Sequence, residues 1–449
     1  MDSSDQVTRF ICDTVWDGLP ANVQRKAKLC MLDSLGALLG GTLTQVSRVA
    51  AAFASERMPG DEATILLHGK RASVAGAAFA NGNAANGIDV DDGARYAYGH
   101  AGAQIFPTAL ALAEARGLSG AQLLSAMVVG YEVAHRVGRC WHASRAVYQA
   151  CGSWGSVACA AVAAHLMGLT PAQTWHALGI AEYHAPNLPM MRDVEHPAMV
   201  KHGIGWGAMT GINAAELASY GFTGIPSLLS FDEYRDWVCD IGRDYLMVDG
   251  VAWKAKGYAC CGWAHAAVEG AKRLAEAYHI KLDDIARIHV ETFHESAQLG
   301  TRLPTTTEEA QFNLAWPVAA MLVDGEIGPQ QTLEFKLNDE RIRALAQRVE
   351  VQESQELSEL RRLYEQGDPR GRCASRVTIV IKTGQEFNSG LVQGGLGFPQ
   401  SGWDERKMED KFCWLVSHVL DKARTDELAG LARQFDQVAN VRELTNLLR

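Results

Sequence analysis

The stretch GIDVDDGARYAYGHAGAQ at 87–104 places three carboxylates, Asp89, Asp91 and Asp92, just ahead of Arg95, Tyr96, Tyr98 and His100. Carboxylate and imidazole groups kept from water by neighbours such as Ile88 and Val90 have displaced pKa values. Proton transfer near neutral pH needs such groups. A calcium loop of the D-x-D-x-[DN]-G kind is not formed, because Gly93 arrives one residue early. A D-D-x-x-D metal motif fails because position 95 is Arg. A solvated acidic loop with an N-capping Asp meets the same spacing, so the run alone leaves acid/base site and surface loop level.

Three further clusters carry polar groups in apolar surroundings. In EHPAMVKHGIGW at 195–206, Lys201 and His202 precede a helix expected from about Gly205. The amides and dipole of such a helix end favour an anion, although most lysines are ordinary surface residues. In WKAKGYACCGWAH at 253–265, either Lys254 or Lys256 could serve as a second anion clamp. The vicinal pair Cys260 and Cys261 reads as small buried apolar residues. After Tyr148, Cys151-Gly152-Ser153-Trp154-Gly155 imitates a nucleophile elbow, but Cys151 replaces the first glycine and no strand precedes it.

The elements that must position these groups are mostly helical. Apolar residues recur at helical spacing through 21–39, 104–116, 119–138, 155–167, 170–182 and 205–220. Ser119 and Thr170 sit where N-caps belong, and Pro171 follows directly. After about 282 the pattern changes: 285–293 and 375–388 alternate, the second breaking at Thr383-Gly384 as a hairpin would. Helices are expected at 307–324 and near 339–347, and again at 404–423, 425–436 and 439–448. The glycine-rich stretch from Gly390 to Gly397 is expected to be a linker.

The chain has 449 residues, 47% hydrophobic and 21% charged, with net charge −10. That composition suits a folded globular chain, and no basic stripe points to nucleic acid or an anionic membrane. An acidic protein that binds anions must do so with a local cluster of positive groups. Ten cysteines without a C-x-x-C pair predict reduced thiols, and no G-x-G-x-x-G or P-loop occurs. The start, MDSSDQVTRFICDTVW, lacks a signal-peptide pattern, so a cytoplasmic location is expected.

At these residues the sequence resembles the MmgE/PrpD family. The resemblance runs through 86–115, 117–139, 199–225, KGYACCGWAH at 256–265 and EEAQFNLAWPVAAMLVDGEIG at 308–328, in that order. It implies a mainly α fold: a large all-helical domain, 1–281 completed by 398–449, with an inserted α+β lid domain at 282–397, in a homodimer. It also implies cofactor-free and metal-free acid/base chemistry beside a carboxylate of a small di- or tricarboxylate. A 2-methylcitrate dehydratase-like hydro-lyase is the leading expectation; an iminodisuccinate epimerase-like or cis-aconitate decarboxylase-like enzyme is the alternative. A non-catalytic helical anion-binding protein is the alternative of another class. Carried over by position, Asp89, His100, Tyr148 and Lys201 are the expected catalytic residues, and Arg95, His202, Lys256 and Trp316 the expected substrate contacts. The sequence differs from the decarboxylase-like pattern at Gly93, where that pattern has Thr, and at Trp316, where it has Tyr.

Overall fold

The computed structural model describes residues 3–365, 368–394, 396–397 and 404–449. Its centre is a cluster of Ala- and Gly-rich helices, Val74–Ala85, Gly102–Arg116, Gly120–Ala143, Cys151–Met167 and Ile204–Ser219, with Ala21–Gly41 against them. Small side chains let these helices approach closely. A Cβ on Gly152 would lie 2.1 Å from the Gly203 carbonyl, so the Cys151–Met167 helix meets the turn before Ile204 with no room for a larger residue. Ser119 and Thr170 form reciprocal caps with Gln122 and Gln173, as their spacing predicts. Among the described residues no single helix is long and apolar enough to cross a membrane.

A second apolar core forms around a sheet in the order Val349–Glu353, Ile285–Thr292, Ala374–Ile381, Glu386–Asn388. Its first pair is parallel and the others antiparallel. The helices His265–Ala277 and Ala315–Asp324 pack on one another, and the first also lies against the Ala374–Ile381 strand. This core takes in Tyr258, Cys260 and Ala264, upstream of the break read at 282, because the apolar face of His265–Ala277 turns toward the sheet. The tail returns to the helical core: Glu405–Val416 packs on Ala21–Gly41, and Lys422–Arg433 follows as a separate helix capped by Asp421.

At the tail the helix expected over 404–423 ends at Val416 and that expected over 439–448 is shortened to Arg442–Leu447; two further expectations change in kind. The helix read at 307–324 is two, Thr307–Gln311 and Ala315–Asp324, with the chain breaking through Phe312 to Leu314. There the Asn313 side chain accepts the Trp316 amide at 2.7 Å, starting the second helix afresh. The expected linker is in part strand: Val392–Gln393 pairs with Ala374–Ile381, and Leu396–Gly397 pairs with Val251–Lys254. Residues 395 and 398–403 lie outside the described residues.

Candidate active site

The acidic run begins where the Val74–Ala85 helix ends. Asn86 accepts the Asp89 amide on its carbonyl, and its side chain donates to Asp91 at 2.8 Å. This tight turn holds Asp89 at φ 51°. Gly93–Ala94 then pairs antiparallel with Val251–Lys254, in the register Gly93 to Ala252 and Ala94 to Val251. That pairing brings Lys254 onto the run. Its ammonium lies 2.9 Å from Asp89 Oδ1 and donates to the carbonyls of Asp89 and Cys260.

His100 completes the group. Its Nδ1 is 3.0 Å from Asp91 Oδ2 and its Nε2 is 3.4 Å from Asp89 Oδ1. The His202 ring stacks on it at 5.4 Å between centroids, and Asp193 holds His202 through both Nδ1, at 2.9 Å, and the backbone amide. Lys201, fully buried, donates to Gln311 at 2.7 Å, and Gln311 in turn donates to the Gly87 carbonyl. The break before Ala315 is what turns Gln311 and Phe312 toward these residues. Asp89, Tyr98, Lys201 and His202 all have positive φ. Such left-handed conformations cost energy for non-glycine residues and persist where the surroundings enforce them.

Burial by itself would raise the Asp89 and Asp91 carboxyls, but the opposing charges reverse this. Lys254 acts most on Asp89 and His100 most on Asp91, so both carboxyls are held below the ordinary range. Burial would also discharge His100; Asp91, and then Asp89, overcome it and hold the imidazole charged above its usual pH. Burial of Lys254 is likewise outweighed by Asp89 and Asp91. The group is therefore a buried imidazolium and ammonium threaded between two carboxylates. Asp92, the third of the run, points elsewhere: it accepts from Tyr131 at 2.6 Å and from the Gly102 amide at 2.9 Å.

These residues face a cavity of about 680 Å³, lined by Asp89, Arg95, His100, Tyr148, His202 and Lys254 and, from the Gln355–Glu365 helix and the segment after it, Arg361, Tyr364 and Arg372. Tyr148 donates its hydroxyl to the Tyr98 carbonyl at 2.5 Å, and burial pushes its phenol well up, so it is a neutral hydrogen-bonding group there. Arg95 lies 5.4 Å from the Tyr364 ring. One ligand atom each from Asp89, His100 and His202 fall within 4.8 Å of one another. A divalent cation among them would sit beside the Lys254 ammonium, which already neutralises Asp89.

Sequence models of the MmgE/PrpD N-terminal and C-terminal domains match residues 5–235 and 258–437. The chain belongs to the MmgE/PrpD family. It is 26% identical to the cis-aconitate decarboxylase-like protein oryM of Aspergillus oryzae, over 98% of this chain and 97% of that one. It is 26% identical to cis-aconitate decarboxylase of Aspergillus terreus, over 99% and 95%, and 28% identical to the Homo sapiens cis-aconitate decarboxylase, over 96% and 91%.

Within this MmgE/PrpD chain the structure brings Asp89, Arg95, His100, Tyr148 and His202 to one cavity and sets Lys201 just behind its wall. It places two expected contacts elsewhere. Lys256 is exposed and absent from the cavity wall, because the strand ends at Lys254 and Gly257 turns the chain at φ 81°. Lys254 takes the buried position instead. Trp316 is in the second core, its indole N–H donating to the Gln331 carbonyl at 2.9 Å. Ser153 of the elbow-like motif lies in the first turn of its helix and donates to the Pro186 carbonyl, so it is no exposed nucleophile. Arg361 and Arg372 also line the cavity, and nothing in their local sequence pattern sets them apart from solvated arginines.

Proposed function

We propose that this MmgE/PrpD enzyme is a metal-free lyase that decarboxylates a small polycarboxylate related to cis-aconitate. The observation that carries the reading is His100, an imidazole held charged between Asp91 and Asp89 at the cavity wall. In decarboxylation the bond from carbon to the leaving carboxylate breaks, CO2 departs, and the electron pair stays on carbon. Charge then spreads toward a neighbouring carboxylate, where preorganised positive groups are worth most. The His100 imidazolium supplies the proton that quenches the carbanion, and it is recharged from water. This reaction needs a standing acid and no base in the resting enzyme. Dehydration, the leading expectation from sequence, needs a base as well; Asp89 and Asp91, held below the ordinary carboxyl range, are weak ones, and Tyr148, its phenol raised by burial, is a poor acid. The names of the relatives also favour decarboxylation.

The test uses the purified, EDTA-treated chain with cis-aconitate and related tri- and dicarboxylates, following CO2 release and product structure. CO2 release that His100→Gln lowers by about 10²–10⁴-fold supports the assignment. Water loss without CO2, or activity that EDTA abolishes, overturns it. We further propose a cytoplasmic homodimer, for which exposed Phe53, Trp206, Tyr220 and Phe222 offer apolar surface. A monomer in sedimentation would refute the second part.

A further inference from the structure

We propose that Arg372, with Arg361 beside it, forms a carboxylate-binding subsite that holds a substrate carboxylate other than the one transformed. The inference rests on the polycarboxylate reading above and concerns the cavity wall opposite the acidic run. At the acid/base wall the Lys254 ammonium and the His100 imidazole are already matched by carboxylates. Lys254 pairs with Asp89, His100 lies against Asp89 and Asp91, and His202 is held by Asp193. A polycarboxylate brings additional negative charges that this wall does not balance.

On the wall formed by the Gln355–Glu365 helix and the segment after it, Arg361 and Asp368 are paired and Arg372 is not. Arg361, mostly buried, is fixed by Glu365 at 2.9 Å and by the Cys373 sulfur at 3.0 Å. Its Nε–H is buried with no hydrogen-bond partner. Asp368 lines the same wall, but Arg370 engages both of its oxygens. Arg372 is held differently: one terminal nitrogen donates to the carbonyls of Pro369 at 2.6 Å and Gly371 at 2.7 Å. Carbonyls orient a guanidinium without cancelling its charge. Among the described residues Arg372 is in no ion pair, although it lines the cavity. A planar guanidinium fixed at one edge presents the other as a fork that fits a carboxylate.

The experiment is calorimetric titration of the wild-type chain, Arg372→Gln and Arg372→Lys with two probes, cis-aconitate and 3-butenoate. 3-Butenoate keeps the carboxymethyl arm, whose carboxylate leaves, and lacks the two carboxylates on the double bond that stay. Arg372→Gln is expected to weaken cis-aconitate by at least about tenfold while changing 3-butenoate by less than about threefold. Arg372→Lys should recover part of the loss, since it keeps the charge and loses the fork. Equal effects on both probes, or none on either, overturn the subsite. Should Arg372→Gln fail to fold, Arg372→Lys carries the same comparison, with a selective loss of several-fold expected. A wild-type chain that binds neither probe refutes the polycarboxylate reading itself, and the subsite with it. Normal wild-type binding with an unaffected variant refutes the subsite alone.

Discussion

Asp91 and Asp92 are neighbours in the chain, both fully buried, yet they lie in opposite electrostatic settings. Asp91 faces His100 and, through it, the Lys254 and Asp89 pair, and its carboxyl is held below the ordinary range. Asp92 faces inward to Tyr131, and burial, followed by the like charge of Asp33, pushes it up to about 7. A cation also anchors the back of the run: Lys411, from the tail helix, joins Asp33 at 2.5 Å to the Val90 carbonyl at 2.7 Å. One short stretch thus has a front of paired charges facing the cavity and a back whose Asp92 carboxyl, displaced upward, is held by Tyr131 and the Gly102 amide. Burial alone does not set a carboxylate's protonation; the partner it meets does.

The sharpest break in the front is Lys254→Met. It leaves Asp89 buried without its ammonium, and removing one partner of such a pair costs about 3–5 kcal/mol. Turnover should vanish together with that stability, as seen in urea unfolding and CO2 release. Lys254→Arg keeps the charge and should retain the fold, which separates the two effects. A Lys254→Met protein as stable as the parent would mean that the front is not electrostatically coupled.

Next in size is Asp91→Asn. Without its carboxylate, His100 loses the largest influence holding it charged, so the imidazole titrates lower. In the parent, activity that needs the imidazolium is constant at low pH and falls as pH rises through the elevated His100 value. In the variant that falling limb moves to lower pH, with a loss of about tenfold at neutral pH for each unit moved. A pH–rate profile with an unmoved limb would assign the proton to another group.

The back is tested by stability. Below about 3.8 Asp92 is protonated whether folded or unfolded; between that value and about 7 only the unfolded chain ionises, so its contribution falls as pH rises and then levels off. A displacement of about three units corresponds to about 4 kcal/mol as an upper scale. Asp92→Asn is neutral throughout. Its stability relative to the parent should rise from about pH 4 to about pH 7 and stay flat above, in denaturant curves across that range. A difference independent of pH would place the raised titration on some other group.

Much of this front was legible because it is local. Asp89 and His100 lie close in sequence within an apolar context, and Lys201 and His202 precede a helix. The capped helices were legible for the same reason: Ser119 with Gln122, and Thr170 with Gln173, are three residues apart. Tertiary choices were not. Whether Lys254 or Lys256 turns inward depends on where a four-residue strand ends, and that strand exists only because Gly93–Ala94 and Leu396–Gly397 pair with it. The resemblance puts Trp316 at the pocket; the break at Asn313 resets the helix, and the indole finds Gln331 instead. Arg361 and Arg372 reach the cavity from a sheet-bearing unit far along the chain, which no local pattern announces.

The smallest expected effect closes the comparison between the two lysines. Lys256 is exposed and makes no ion pair among the described residues, so Lys256→Ala removes a solvated charge near the surface. Substitutions of that kind usually stay within about 0.5 kcal/mol in stability. Its charge lies two residues from Lys254, but solvent screens it from the buried cluster, so kcat/KM should change by less than about twofold. A loss comparable to that of Lys254→Met would mean that the strand extends by two residues when substrate is bound, placing Lys256 in the cavity as the resemblance implies.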